Sequence, residues 1–374
     1  MFEAIYARGA VGEQLTDRAW VRAMCDVEAA LAQALAESGE IPQEAAAAII
    51  AAARDPGRID FAQLRSSLAE NATPVVGLVA ALRDVVAPPA AEHVHSGSTS
   101  QDILDTAMML VVRRALDPLL ADLDGAADAV SVLSASHRAT PMIARTLLQQ
   151  ALPTTFGLVT AGWLDGLTQA RIHLHHVRNA ELAVQMGGPV GGRPPGVAAR
   201  VAAELGLVEP VIGWATIRVR TALTASVLGV CAGVLAKIAR DVTLLSQTEV
   251  AEVAESRAGG SSAMAHKHNP VASVATLACV TRVPGAVATM LSAMEQEQQR
   301  AAGSWQAEWG ALTELVGLVG SAAAWTRELL TGLRVDSARM AANLAAAATA
   351  GEPPPAGTDA LIDRAIAAHE ARNR

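Results

Sequence analysis

Ten consecutive residues, HVHSGSTSQD (93–102), hold two histidines, four hydroxyls, an amide and a carboxylate. They stand just before a helical pattern, where free backbone N–H groups and the positive end of a helix dipole favour an anion. Capping alone uses some of the same side chains, since Ser98, Thr99 or Ser100 makes a good N-cap. A second segment, GGSSAMAHKHNP (259–270), joins two glycines and two serines to Lys267, flanked by His266 and His268. Flexible backbone, hydroxyl oxygens and positive charge suit a loop that closes over an anionic substrate. Twelve residues is also long for a plain helix–helix joint, where about 2–8 is usual. With no Cys or acidic residue beside them, the two histidines do not make up a zinc set.

Three more stretches carry groups of the same kind. EQEQQRAAGSWQAEW (295–309) places Arg300 near a helix junction at Gly303, and its Trp305 and Trp309, four apart, read as packing. RTLLQQALP (145–153) combines Arg, Thr and Gln before a proline. WATIRVR (214–220) brings Arg218 and Arg220 to the start of a long apolar pattern. Paired arginines suit bidentate carboxylate recognition, and the structural alternative is a solvated helix end. His173, His175 and His176 fall on a helical pattern and read as a solvated or intersubunit face.

The elements that must hold these segments are helices. The seventeen prolines of the 374-residue chain leave two gaps, 211–269 and 285–352, rich in good helix formers. Helices that long belong to bundles. In 16–38 the apolar residues Ala19, Ala23, Val27, Ala30, Leu31, Ala34 and Leu35 recur at helical spacing, with Thr16 or Asp17 as the cap. Pro42 opens a helix to about Arg54, and Pro56-Gly57 breaks the chain again. Further helices are expected at about 100–137 (kinked or split at Pro118), 154–186, 215–256, 270–300 and 304–350. MGGPVGGRPPG (186–196) is a loop, and GEPPPAG (351–357) a linker to one short helix at 358–371. No strand with convincing alternation and no internal repeat is present. The expectation is an all-α long-helix bundle, divided at 1–98, 99–335 and 336–374.

Composition narrows the rest. Half of the residues are hydrophobic but only 3% are aromatic, which disfavours a β-sandwich or barrel. A net charge of −8 disfavours a general nucleic-acid binder. Cys25, Cys231 and Cys279 are odd in number and far apart, so a reducing cytoplasm is expected. No basic stretch followed by an apolar one marks a signal peptide at the N-terminus. The most apolar run, 221–236, is shorter than the roughly 20 residues a bilayer needs and reads as a buried core helix. A bundle with several apolar faces is expected to form a homo-oligomer.

Taken together and in this order, the segments resemble the fumarase/aspartase superfamily over about residues 1–345. GSSAMAHKHNP (260–270) is similar to its signature loop and HSGSTSQDILDT (95–106) to its first region, and LAKIARDVTLLSQTEVAEVAE (235–255) resembles the helix before the loop. Within it, TSQD (99–102), RTLLQQALPTTFG (145–157) and QRAAGSWQAEW (299–309) resemble the 3-carboxy-cis,cis-muconate cycloisomerase family. Most superfamily lyases carry His at the position of Leu147, and a Glu partner at the position that looks like Val274. Departures are Ala265 for the signature proline, Ala215, Ile217 and Val219 in a region usually reading WHTQRDR, Glu297-Gln-Gln-Arg300 for a usual Glu-His-Glu-Arg, and a C-terminal helical region after Asn343 that is expected to be shortened relative to the superfamily.

The resemblance implies intramolecular addition of a carboxylate to a C=C bond, giving 4-carboxymuconolactone in protocatechuate breakdown, with neither metal nor organic cofactor. It implies Ser261, or its neighbour Ser262, as the group handling the carbon-bound proton, and His95 as a titrating helper. Thr99, Ser100, Gln149, Lys267 and Asn269 are the implied carboxylate binders, with Arg218, Arg220 and Arg300 as further clamps. Site segments from different subunits of a homotetramer follow, with no nucleic acid or membrane as partner. Two rivals are a β-elimination lyase on a succinate-type substrate and a helical scaffold without turnover.

Overall fold

Helices begin where the sequence supplies caps. In the computed structural model, which describes residues 3–193, 196–257 and 259–371, short turns α1 (Glu3–Tyr6) and α2 (Gly9–Glu13) precede α3 (Asp17–Glu37). Thr16 Oγ1 accepts the Ala19 N–H at 3.2 Å and caps α3. Pro42 is the N-cap of α4 (Gln43–Ala53), one residue outside the expected first turn. Two helices that the proline spacing did not mark follow, α5 (Phe61–Asn71) and α6 (Val75–Val85).

The spine is α7 (Ser100–Ser136), which Pro118 neither splits nor ends. An interior proline costs a helix about 3 kcal/mol, and here residues buried on both sides of it, Leu116, Leu119, Leu120 and Leu123, hold the helix together. Then comes a hairpin, β1 (Pro141–Thr146) against β2 (Gln149–Thr155), and α8 (Phe156–His176), which ends in one π turn at 177–181. After α9 (Val197–Leu205) come α10 (Val219–Leu245), β3 (Val253–Glu255), α11 (Val271–Ser292), α12 (Ser304–Thr331), β4 (Leu333–Val335), α13 (Ser337–Ala345) and α14 (Thr358–Glu370).

The helices expected at 154–186, 215–256, 270–300 and 304–350 all overrun those observed, and among the described residues four strands stand where none was expected. The absence of proline permits a helix without requiring one. After Leu245 the chain leaves the helix through Ala251, in the left-handed region (φ 52), and pairs β3 with β4. Such strands of three residues are too short to show alternation. Within the 186–196 loop, Pro194 and Pro195 lie outside the described residues.

Long helices α7, α8, α10, α11 and α12 share one apolar core, and a second joins α3–α6 to the first turns of α7. By length and composition α10 and α11 are each apolar enough to cross a membrane, so the 16-residue run was too narrow a reading of α10, which has 27 residues. Both pack into the bundle with about half of their most apolar window buried, 50% and 44%. On their outer faces Leu223 and Val230 of α10 and Val274 and Leu291 of α11 remain exposed. The C-terminal helix returns to the bundle: Arg138 reaches Asp363 at 2.6 Å, and buried His369 meets Asp128 at 2.8 Å.

Gly157 sits where α8 leaves the hairpin and passes under the end of α7. A Cβ there would stand 2.6 Å from Arg138 Cα and 2.8 Å from the Ser134 carbonyl oxygen, both backbone. Neither can swing aside, so Gly157→Ala is expected to lose about 2–3 kcal/mol in denaturant unfolding. A loss under about 0.5 kcal/mol would show that the junction has room to shift.

Candidate active site

At the start of α7 four chain segments meet. Thr99 is its extended N-cap, and the Asp102 carboxylate takes the Thr99 N–H at 3.2 Å. Asp102 is fully buried and also accepts the N–H groups of Gly187 and Gly188, at 3.0 and 2.9 Å. It thereby ties the Gly/Pro loop to the helix. Burial pushes its pKa up, while these N–H groups and nearby Arg193 work the other way. Close approach needs Gly188, which has φ 62 and whose Cβ would stand 3.1 Å from the Gly97 carbonyl.

Cations and amides line this end. Arg300 donates to the Gly188 carbonyl at 2.5 Å and to Gln101 Oε1 at 3.2 Å. Arg193 donates through Nη2 to Ser98 Oγ at 2.6 Å, and its Nε is buried without a hydrogen-bond partner among the described residues. Sequence reading passed over Arg193; the signal was a lone cation in a Gly/Pro-rich loop. His95 has a left-handed backbone (φ 64) and its Nδ1 lies 2.6 Å from Glu28 of α3. Ser100 is the half-buried first residue of α7.

Beneath lies a buried ionic group. Arg218 is fully buried; it donates to Asp105 at 2.7 and 3.1 Å and to Glu308 Oε1 at 2.9 Å, and a second contact to Glu308 closes the pair. Trp305 Nε1 donates to Asp105 at 2.9 Å, and the Trp214 ring lies 4.7 Å from the guanidinium. Burial alone lowers the Arg218 pKa, and the Asp105 and Glu308 carboxylates outweigh it, so the net shift is upward. All three guanidinium nitrogens of Arg218 are engaged within the chain. Arg220 is turned away from this cluster and donates to the Ala180 and Glu181 carbonyls at 3.0 and 3.1 Å, closing the end of α8. Trp305 and Trp309 stack edge-on at 4.8 Å, as packing requires.

The remaining candidates lie at the other end of the bundle. Gly259 and Asn269 pair across the neck of the 259–270 loop through two 2.9 Å bonds, and Asn269 Nδ2 donates to the Gly260 carbonyl at 2.9 Å. Ser261 Oγ accepts the N–H groups of Ala263 and Met264, at 3.3 and 3.1 Å. Ser262 and Lys267 are exposed on the loop. Below it, Glu255 takes the N–H groups of Ala272 and Ser273, both at 2.9 Å, and anchors the start of α11. Gln149 is exposed beside the hairpin turn, where Leu147 and Leu148 both have left-handed backbones and Leu147 is 97% exposed. Arg145 grips buried Glu252 with two bonds of 2.9 and 2.8 Å, which sets the hairpin beside the root of the loop.

The helices measure the gap. At 1.5 Å per residue, the 27 residues of α10 put the signature loop about 40 Å from Arg218. The 37 residues of α7 put the hairpin about 55 Å from Thr99. One chain thus brings together His95, Thr99, Ser100, Arg218 and Arg300 at one end. It brings together Gln149, Ser261, Ser262, Lys267 and Asn269 at the other.

This architecture, with polar loops at both ends of a long-helix bundle, is that of a lyase family whose model matches residues 5–285. The chain belongs to that family and is an enzyme of the fumarase/aspartase superfamily. It is 46% identical over 350 residues to nitrosuccinate lyase of Streptomyces davaonensis, covering 88% of this chain and 73% of that one. It is 41% identical over 356 residues to 3-carboxy-cis,cis-muconate cycloisomerase of Pseudomonas putida, covering 92% and 84%. Among solved structures it is similar to the 3-carboxy-cis,cis-muconate lactonizing enzyme of Pseudomonas putida, with a TM-score of 0.88, 36% identity, and coverage of 100% of this chain and 88% of that one.

Proposed function

We propose that this enzyme is a cytoplasmic homotetrameric cycloisomerase that closes 3-carboxy-cis,cis-muconate to 4-carboxymuconolactone. A carboxylate oxygen bonds to one alkene carbon, the π electrons move to the neighbouring carbon, and that carbon takes a proton. The observation that carries the reading is Leu147, an exposed apolar residue at the hairpin tip where most lyases of this superfamily have a His. Ring closure needs a group to deliver the carbon-bound proton, and no acid to assist a leaving group. Ser261 is that group in this reading. Two backbone N–H donors on Oγ stabilise the alkoxide left once Ser261 has given its proton to carbon, which favours it over Ser262 as the donor. Lys267, Asn269 and Gln149 at one end and Arg193, Arg300, Thr99 and Ser100 at the other would neutralise the three carboxylates once ends from different chains meet.

A second reading has one observation in its favour, the 46% identity to nitrosuccinate lyase. Nitrite leaves as a stable anion and needs no protonation, so elimination also tolerates Leu147. Purified protein should therefore be offered both substrates, following loss of the diene absorbance and release of nitrite. The cycloisomerase reading expects the diene to be consumed and Ser261→Ala to lose about 100-fold or more in kcat. Nitrite release with an untouched diene would replace it with the elimination reading. Arg193→Ala is expected to raise KM about tenfold with a smaller change in kcat, since a charged hydrogen bond to substrate contributes about 1.5–3 kcal/mol. An unchanged KM would remove Arg193 from the binding groups.

A further inference from the structure

Glu28 lies on the apolar side of α3, beside Val27 and Leu31, and is 1% exposed. A carboxylate in such surroundings is retained only when something compensates its charge. Its Oε1 is 2.6 Å from Nδ1 of His95, and its Oε2 is buried with no hydrogen-bond partner among the described residues. The carboxylate therefore answers to the imidazole. His95 in turn keeps a left-handed backbone, unusual for a residue with a side chain, and Glu28 is what its ring bonds to among the described residues. Backbone strain held by a carboxylate–imidazole contact, at the mouth of a helix start lined with Arg193 and Arg300, is a feature of sites rather than of surfaces.

We infer that Glu28 is the positioning residue of a carboxylate–imidazole dyad with His95. It accepts the Nδ1 proton, fixes the tautomer that leaves Nε2 as an acceptor toward the site, and stabilises the imidazolium when Nε2 takes up a proton. The proton gained and lost at Nε2 is exchanged with substrate or solvent. The inference deepens the part of titrating helper that the resemblance implies for His95, and rests on the function proposed above. Other charged groups around the segment include Arg83 of α6, bonded to the Val94 carbonyl at 3.2 Å, Arg193, Arg300, Asp102 of α7, and Glu92 and His93 beside it. None of these is altered in the test below.

Histidine-selective 15N NMR on the whole protein, with His95→Ala to assign the signal, needs no substrate. Neutral His95 is expected to be mainly the Nδ1–H tautomer, and Glu28→Gln, which keeps shape but not charge, to lower its titration midpoint by about one pH unit or more. The corresponding limb of the pH profile of kcat/KM should move down with it, KM should change little, and Glu28→Gln should add nothing in a His95→Ala background. An Nε2–H tautomer in the unaltered protein overturns the inference, even if Glu28→Gln does not fold. So does a midpoint that stays in place in Glu28→Gln. An Nδ1–H tautomer with a lowered midpoint, in a protein that turns over neither proposed substrate, upholds the dyad and refutes the substrate reading instead.

Discussion

Equal amounts of His95→Ala and Ser261→Ala chains, each inactive alone, are expected to regain about a quarter of the wild-type turnover when dissociated and reassembled together. His95 stands at the start of α7, and Ser261 lies on the loop after α10, about 40 Å away along that helix. A substrate of six backbone carbons cannot touch both in one chain. If a site joins the His95 end of one chain to the Ser261 end of another, each contributor is intact in half of the random assemblies. Both are then intact in about one quarter. Sites complete within a single chain would give no recovery, and that result would sink the shared-site proposal. The exposed apolar residues Leu223, Val230, Val274 and Leu291 are the surface through which such an assembly would form.

The second large effect concerns Arg218. Removing one member of a buried ionic group leaves the others uncompensated, which costs about 3–5 kcal/mol. Arg218→Ala strands Asp105 and Glu308, both fully buried, and vacates the space beneath the Trp214 ring. Denaturant unfolding at fixed protein concentration should show that loss, with activity falling as Gln101 and Trp305, which share Asp105, lose their register. A carboxylate clamp, the role the resemblance implied for Arg218, predicts otherwise: a raised KM with stability unchanged. Replacing Asp105, Arg218 and Glu308 together by Leu, Met and Leu should recover much of the stability, because no charge is then left alone.

Much of the framework is legible in the chain itself. The caps Thr16 and Thr99, the apolar spacing in 17–37 and the long proline-free stretches are local features, and local geometry obeys them. So is the inventory of chemistry: the hydroxyl-rich segment before α7 and the serine–lysine loop before α11 stand out by composition. Helix ends were legible only as upper limits, because β3 pairs with β4 across some eighty residues of sequence and no local pattern announces it.

The arrangement of the site was decided in three dimensions. Arg218 and Arg220 are two residues apart in one motif, yet the first is locked between Asp105 and Glu308 and the second closes the end of α8. Arg193 and Glu28 carried no motif, and each gained its place by packing against segments distant in sequence. Sequence determines which helices form and which groups they carry, since caps, period and breakers act over a few residues. Which groups face one another depends on helix length and on burial, and those separate His95 from Ser261 by the length of the bundle.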